Sequence, residues 1–238
     1  QFLLSKGAAV DEAAIAGCTP LLYTTLDGKD ECESFLFEPI PYTEISRLGV
    51  AKVLLDHGAN IHAATADGQT VLHGAVCFRD NEFVRYLVEH GANVRAIAAK
   101  GETPLHNATC TANIEAVRYL IDQGADIHVV NTDSGETMVH AACALPNSTS
   151  LPSISRILGT LLDRGVEVNA KDATGSTALH LLYELCYRHH RCSTETFNLL
   201  LRRGADRLVA NNEGENVLEL IKEDEKWDWD AEGFLKTN

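Results

Sequence analysis

Apolar and polar residues alternate along the chain with the period of an amphipathic helix. In residues 112–122 (ANIEAVRYLID) the apolar positions recur every three or four residues, which predicts a helix with one buried face. A shorter apolar segment before it opens with Thr103 and Pro104, a capping hydroxyl followed by a residue suited to the first helical turn. Gly124 stands where a left-handed residue ends a helix. The turn residues of 128–136 (HVVNTDSGE) then predict a projecting hairpin.

This arrangement recurs along the chain with a period of about 33 residues. One landmark is the Thr or Asn that opens each apolar segment, at Thr19, Thr70, Thr103, Thr137, Thr177 and Asn216. A second landmark is Gly-Ala or Gly-Val, with its glycine at Gly7, Gly58, Gly91, Gly124, Gly165 and Gly204. The two landmarks advance together, with insertions in three of the units. Because one such unit cannot bury its own apolar face, the pattern predicts a stack of units.

Two motifs carry a resemblance to a known family. The motif Gly-x-Thr-Pro-Leu-His-x-Ala stands as GETPLHNA at residues 101–108 and as GQTVLHGA at residues 68–75. A closing motif stands as LLDHGAN, LVEHGAN and LIDQGAD, starting at Leu54, Leu87 and Leu120. In these motifs, and over essentially its whole length, the chain resembles the ankyrin-repeat family. The resemblance implies an all-α fold, an ankyrin-repeat α-solenoid of helix–turn–helix units joined by β-hairpin-like loops.

We therefore expect residues 1–238 to form a single ankyrin-repeat domain. Its ends are expected to be a partial unit at residues 1–12 and a C-terminal capping unit at residues 211–238, where Glu219 replaces a small apolar residue. Between them we expect a unit with a long insertion, two plain units and two units with insertions, at 13–65, 66–98, 99–131, 132–171 and 172–210. Because the apolar residues that open the partial unit would normally meet a preceding unit, we expect more protein upstream of residue 1.

Four histidines share one position of the repeat, namely His73, His106, His140 and His180. The resemblance implies that they brace neighbouring units by hydrogen bonding. Packed layers lie roughly 10 Å apart, which is too far for these side chains to share a metal ion. We expect a structural role for all four.

Composition and charge narrow the class of partner. Of the 238 residues 45% are hydrophobic, and the formal net charge is −14. That charge disfavours binding to nucleic acid, which relies on Lys and Arg neutralising phosphates, and docking on anionic lipid. No apolar run approaches the ~18 residues of a membrane span. The seven cysteines are odd in number and lack a Cys-x-x-Cys pair, so we expect an intracellular protein, cytoplasmic or nuclear.

The sequence predicts no catalytic residue, no cofactor and no metal site. The stretch CYRHHRC at residues 186–192 has metal-binding residue types, but its spacing matches no standard zinc finger, and we expect a surface loop there. Cys77 and Cys110 end the first helices of their units and are expected to be partly buried small hydrophobic residues. Signatures of serine hydrolases, phosphate-binding loops, zinc proteases and dinucleotide-binding folds are missing from the sequence.

The usual binding face of ankyrin repeats is concave and is built from hairpin tips and the ends of first helices. By register, the resemblance places hairpin-tip residues at Asp67, Gln69, Lys100, Glu102, Ser134, Glu136, Thr174 and Ser176. It places helix-end residues at Cys77, Phe78, Cys110, Thr111, Ala144, Leu145, Glu184 and Leu185. Phe78 and Leu145 are the apolar members that we expect to anchor a partner.

Three insertions depart from the repeat pattern. Residues 27–45 mix acidic residues with three aromatic side chains and two prolines, and these either anchor a partner or fold back over the ridge between helices. Residues 145–153 indicate a polar loop, and residues 186–192 form the third insertion. All three fall between the two helices of a unit, so we expect them on one side of the stack.

The leading interpretation is a non-catalytic protein–protein recognition scaffold, a fragment of a longer intracellular protein that binds another protein as a monomer. An alternative is a regulatory arm that docks on another domain of its own chain. A third interpretation, from a different class, is a metal-binding or enzymatic domain that uses residues 186–192.

Overall fold

The structure, a computed structural model, describes residues 7–14, 17–25, 46–144, 151–189 and 194–223. The predicted insertion at residues 27–45 and the predicted anchor Leu145 lie outside the described residues. In the described part the chain forms helices and turns, with two isolated β-bridges, Ala64 with Thr70 and Ala210 with Asn216. The all-α class predicted from the sequence is confirmed.

The helices follow one another in pairs, and each pair belongs to one repeat. Numbered in chain order, the odd-numbered helices are the first helix of a repeat and the even-numbered helices are the second. In chain order they are α1 (Pro20–Tyr23), α2 (Arg47–Asp56), α3 (Val71–Ala75), α4 (Asn81–Glu89), α5 (Pro104–Cys110), α6 (Ile114–Asp122), α7 (Met138–Cys143), α8 (Leu151–Asp163), α9 (Ala178–His189), α10 (Thr194–Arg202) and α11 (Val217–Glu223). Short 3-10 turns occupy Val76–Phe78 and Ala99–Gly101.

The chain divides into two compact bodies. The first body comprises Gln1–Ala108 and Tyr119–Ala125, and the second comprises Thr109–Arg118 and Asp126–Asn238. In the first body α1 packs on α3 and α2 packs on α4. In the second body α7 packs on α9, α9 on α11, and α8 on α10. Within each body, therefore, first helices stack on first helices and second helices on second helices.

The first helices begin at the Thr landmark because its hydroxyl caps the helix. Thr19 Oγ1 accepts a hydrogen bond from Leu22 N at 3.4 Å, and Pro20 occupies the first turn. At α3 and α7 the cap is reciprocal. The side chain of the capping Thr accepts a hydrogen bond from the backbone N–H of the His three residues later, and the side chain of that His accepts one from the backbone N–H of the Thr. The Thr and His of the motif are thus one local device for starting a helix.

The last first helix, α11, starts with a variant of the same cap. Asn216 replaces Thr, and its side-chain amide donates to Glu219 Oε2 at 2.7 Å. Asn216 Oδ1 in turn accepts from Glu219 N at 3.0 Å. Glu219, whose polarity indicated a closing unit, therefore also bonds the cap of its own helix.

The cores of the two bodies are apolar and come from both helices of each repeat. In the first body the fully buried side chains include Leu72, Phe83 and Leu87; in the second they include Ile157 and Phe197. Burying a side chain of this size contributes about 1.5–3 kcal/mol to stability. Within the described residues, no helix has the length and apolar character needed to cross a membrane.

Candidate protein-binding surface

Each hairpin between repeats is closed by main-chain hydrogen bonds near its tip. Thr65 N donates to Gln69 O at 2.9 Å, and Asp172 N donates to Ser176 O at 3.0 Å. At α2 and α8 the helix before the hairpin ends at a Gly-Ala or Gly-Val landmark, and Gly165 there has a left-handed φ of 88°. The chain can therefore leave the helix and turn directly into the hairpin.

Neighbouring hairpins are joined by a second set of main-chain bonds, which we call the tip ladder. Its members are Ala99 N to Asp67 O at 2.7 Å in the first body, and Ala173 N to Ser134 O at 2.8 Å and Asn212 N to Thr174 O at 2.9 Å in the second. The three acceptors are residues predicted to lie at hairpin tips. The tip ladder uses only backbone atoms, so it positions the tips without engaging their side chains.

The repeated histidine adds a bond from a first helix to the following hairpin. His73 Nδ1 accepts from Thr70 N at 3.0 Å, which assigns the proton of the neutral ring to Nε2. Nε2 then donates to Glu102 O, in the next hairpin, at 3.4 Å. The side chain thus connects the start of its own helix to the neighbouring repeat.

Two further histidines repeat this geometry in the second body. His140 Nε2 donates to Ser176 O at 2.9 Å, and His180 Nε2 donates to Glu215 O at 3.1 Å. The bracing role that the resemblance implies is confirmed for these two and for His73.

His106 departs from the pattern of the other three. Its Nδ1 lies 2.9 Å from Thr103 Oγ1, but its Nε2 has no hydrogen-bond partner although the residue is only 6% exposed. A buried polar atom without a hydrogen-bond partner costs about 1–3 kcal/mol. For His106 the predicted bracing bond is therefore not found.

Burial keeps several of these rings neutral. Loss of hydration lowers the pKa of His73 to about 4, in spite of the opposing hydrogen bond to Glu102 O. Loss of hydration, reinforced by the charge of His73, lowers the pKa of His106 to about 4 as well. The pKa of His180 is also lowered, chiefly by burial. At neutral pH these rings act as hydrogen-bonding groups and carry no charge.

The tip side chains of the first body differ in their exposure to solvent. Asp67 and Lys100 are exposed, whereas Gln69 and Glu102 are half-buried. Gln69 Nε2 donates to Glu102 Oε2 at 3.1 Å across one repeat. Two predicted contact residues therefore bond to each other, and a partner would meet them as a fixed pair.

In the second body the tip side chains bond within their own hairpins. Thr174 is exposed, and its Oγ1 lies 2.6 Å from Asp172 Oδ1 and 2.9 Å from Ser176 Oγ. Ser134 and Glu136 are half-buried, and Ser134 Oγ accepts from Glu136 N at 3.4 Å. These tips present small hydroxyls and one carboxylate in a geometry held by the hairpin itself.

A turn-forming residue that sequence reasoning missed shapes each of these hairpins. Asp172 Oδ1 accepts from Thr174 N at 2.8 Å and Ser176 N at 2.9 Å, while Asn131 Oδ1 and Asn211 Oδ1 accept from backbone amides in the same way. An Asp or Asn that bonds to the backbone two residues on is a common turn signal, and this one was present in the sequence.

The helix-end positions are less uniform than the register implied. Phe78 is half-buried, and Arg47 Cζ lies 3.7 Å from the centroid of its ring, so a cation from α2 covers one face of this predicted anchor. Thr111 and Leu185 are half-buried, whereas Ala144 and Glu184 are exposed.

The expectation that Cys77 and Cys110 are partly buried is wrong. Both are exposed, because each stands after the last buried turn of its helix, where the side chain leaves the core. Cys77 Sγ donates to His73 O at 3.5 Å.

The loop expected at residues 186–192 is partly helical. Helix α9 continues to His189, and Cys186 is buried at 4% exposure one turn after the buried Leu182. The helical period continues through Cys186, which explains why the first half of the motif is not a loop. Residues 190–193 lie outside the described part. Among the described residues, no group of three or more His, Cys, Asp or Glu side chains could hold a metal ion.

The stacked helix pairs, capped by Thr and joined by hairpins, define a helical repeat protein. A family model described as ankyrin repeats (3 copies) matches residues 1–98, 43–131 and 93–172, and the chain belongs to this family. Ankyrin repeats generally serve as scaffolds for protein–protein interaction. The chain is 31% identical over 98 residues to ankyrin repeat protein FPV223 of Fowlpox virus (strain NVSL), over 36% of this chain and 70% of that protein.

A solved structure shows the same fold. The crystal structure of the human ASB11 ankyrin repeat domain is similar with a TM-score of 0.68 and 22% sequence identity. The similarity covers 92% of this chain and 84% of that chain.

Proposed function

We propose that this chain is a non-catalytic recognition module that binds another protein through its hairpin tips and first-helix ends. The observation that supports this function is the tip ladder, whose bonds of 2.7 to 2.9 Å hold neighbouring tips through backbone atoms alone. A surface that is ordered before binding loses little conformational entropy when a partner docks.

The proposed contact residues combine exposed charges, small hydroxyls and a few apolar side chains. They are Asp67, Gln69, Phe78, Lys100, Glu102, Thr111, Ser134, Glu136, Leu145, Thr174, Ser176 and Leu185. Among the members that the structure describes, Asp67, Lys100 and Thr174 are the exposed ones and are proposed to contact a partner first.

The partner is proposed to be a protein rather than nucleic acid or lipid. A net charge of −14 opposes approach to phosphate-rich surfaces and favours partners with a basic face. We further propose that the chain acts inside the cell, as a monomer, and without a cofactor. The alternative of an arm that docks on its own chain stays a prediction from the sequence.

Crosslinking mass spectrometry on a pull-down from lysate of the source organism tests this function. The bait is the whole chain, compared with an Asp67→Lys/Thr174→Lys variant that alters one exposed tip in each body. A matched control, Glu89→Lys/Gln123→Lys, makes the same change in net charge on or just after second helices. Circular dichroism confirms that all three proteins have the same helix content.

The proposal predicts a partner crosslinked near the hairpin tips, retained by the control and lost by the tip variant. A partner that binds wild type and tip variant equally, or crosslinks only to residues 27–45, contradicts the proposed surface.

A further inference from the structure

A groove of about 340 Å³ lies between α8 and α10 of the second body. It is lined by Ser155, Arg156, Glu195, Asn198, Leu199 and Arg202. Its floor is Leu199, which is half-buried, and Ser155, which is buried and whose Oγ lies 2.7 Å from Thr196 Oγ1. The other four lining residues are exposed and form the rim.

In the first body, the corresponding junctions between second helices are covered by a cation over an aromatic ring. Lys52 Nζ of α2 lies 5.2 Å from the centroid of the Tyr86 ring of α4. Arg85 Cζ of α4 lies 4.7 Å from the centroid of the Tyr119 ring of α6. In each pair the cation lies six residues before the landmark glycine that ends its own repeat. The tyrosine lies five residues before the landmark glycine of the following repeat.

Between α8 and α10 the same two positions are Gly159 and Leu199. Gly159 has no side chain, and a Cβ placed on it would meet no atom within 4 Å. Leu199 is shorter than tyrosine and ends at the floor. The covering pair of the two first-body junctions is thus replaced between α8 and α10 by residues too small to fill the space, which leaves the groove open.

Two rim residues, Arg156 and Arg202, carry the opposite charge to most residues at equivalent positions of the other second helices. The position of Arg202 is acidic in the four preceding second helices, at Asp56, Glu89, Asp122 and Asp163. The position of Arg156 is acidic in three others, at Glu82, Glu115 and Glu195. Two exposed guanidinium groups thus flank a groove on a chain whose net charge is −14.

Nearby carboxylates do not neutralise these two arginines. Asp163 pairs with Arg203, at 2.8 Å between Oδ1 and Nη1. Glu195 is one carboxylate on a rim that holds two guanidinium groups. Within the part of the chain that the structure describes, Arg156 and Arg202 form no ion pair.

We propose that this groove binds an acidic segment of a partner protein. An apolar side chain of that segment packs on Leu199 beside Gly159, and carboxylates pair with Arg156 and Arg202. Guanidinium groups suit this task because they bind a carboxylate through two parallel hydrogen bonds. The site uses residues of second helices and none of the tip residues, so it is independent of the recognition surface proposed above.

Peptide selection tests the proposal even while the partner is unidentified. A phage library of random dodecamers is selected on the whole chain and counter-selected on an Arg156→Glu/Arg202→Glu variant. The expected sequences carry at least two Asp or Glu around an apolar residue. The strongest is synthesised with a fluorescent label, and its affinity is measured by anisotropy at two salt concentrations.

Two further variants separate the groove from general charge. Arg118→Glu/Lys222→Glu makes the same change in net charge outside the groove and is expected to leave affinity within about twofold of wild type. Gly159→Arg/Leu199→Tyr keeps both rim arginines but rebuilds the covering pair, and is expected to weaken binding at least about tenfold, as Arg156→Glu/Arg202→Glu does.

Three outcomes would overturn the proposal: no sequence enriched on wild type over the groove variant, enriched peptides without acidic residues, or equal affinity for wild type and the rebuilt groove. The tip variant Asp67→Lys/Thr174→Lys should bind the selected peptide like wild type, which separates this site from the proposed recognition surface.

Discussion

Replacing His140 and His106 by alanine in separate variants measures what the bracing bonds contribute to the free energy of unfolding. Both rings are buried, and in both Nδ1 lies 2.9 Å from the Oγ1 of the capping Thr. His140 makes two bonds that His106 lacks, Nε2 to Ser176 O at 2.9 Å and Thr137 N to its own Nδ1 at 3.2 Å. The two truncations otherwise remove the same atoms from the same position of the repeat.

Each lost hydrogen bond costs about 1 kcal/mol, and His106→Ala also removes a buried nitrogen that has no partner, so His140→Ala should destabilise the protein by at least about 2 kcal/mol more than His106→Ala. The cavity left by the ring adds a similar cost to both variants and cancels in the comparison. Urea unfolding followed by far-UV circular dichroism, with one m-value for all three proteins, gives the two differences. Losses that agree within about 0.5 kcal/mol would refute the assignment of stability to the Nε2 and Thr137 bonds.

Two other predictions follow from burial and backbone conformation. His73 and His106 have folded pKa values of about 4, below the 6.5 of an exposed ring, so the unfolded chain binds more protons between these values and stability rises with pH there. Lowering the pH from 7 to 5 should reduce the free energy of unfolding by about 2 kcal/mol for each ring. Urea titrations at several pH values should therefore show a smaller pH dependence of stability for His73→Gln than for wild type. The same pH dependence in both proteins would count against a buried neutral ring at His73. Gly159→Ala should stabilise the protein by about 1 kcal/mol, because alanine favours the helix and its Cβ meets open space. Gly165→Ala is equally unobstructed, but the residue has a φ of 88°, so this substitution should destabilise the protein by about 1 kcal/mol. Thermal melts of the two variants that shift in the same direction would contradict this reading of the backbone.

The stacking of repeats could be predicted because its determinants are local. Thr19 and Thr137 cap helices through atoms three residues away, and Gly165 ends a helix through its own φ. Such short-range preferences are present in the sequence of a single repeat. Their regular recurrence then specifies the stack, because each apolar face has a similar apolar face in the neighbouring repeat to pack against.

Features that depend on two repeats at once were not accessible from one repeat. The bond between Gln69 and Glu102 requires the distance between two neighbouring hairpins, which the sequence does not state. The helical course of the chain through Cys186 was missed because no Gly or Pro marks where the helix ends and the insertion begins. The groove beside Gly159 becomes visible only when each second helix is compared with its neighbours position by position.

The tip ladder has a consequence for how such a surface changes over generations. Its acceptors at Asp67, Ser134 and Thr174 are carbonyl oxygens, and any amino acid at these positions supplies the same oxygen. Mutations there can alter the identity of the bound protein while the hydrogen bonds between hairpins persist. Selection can therefore change the side chains that face a partner while the main-chain bonds between neighbouring hairpins are kept.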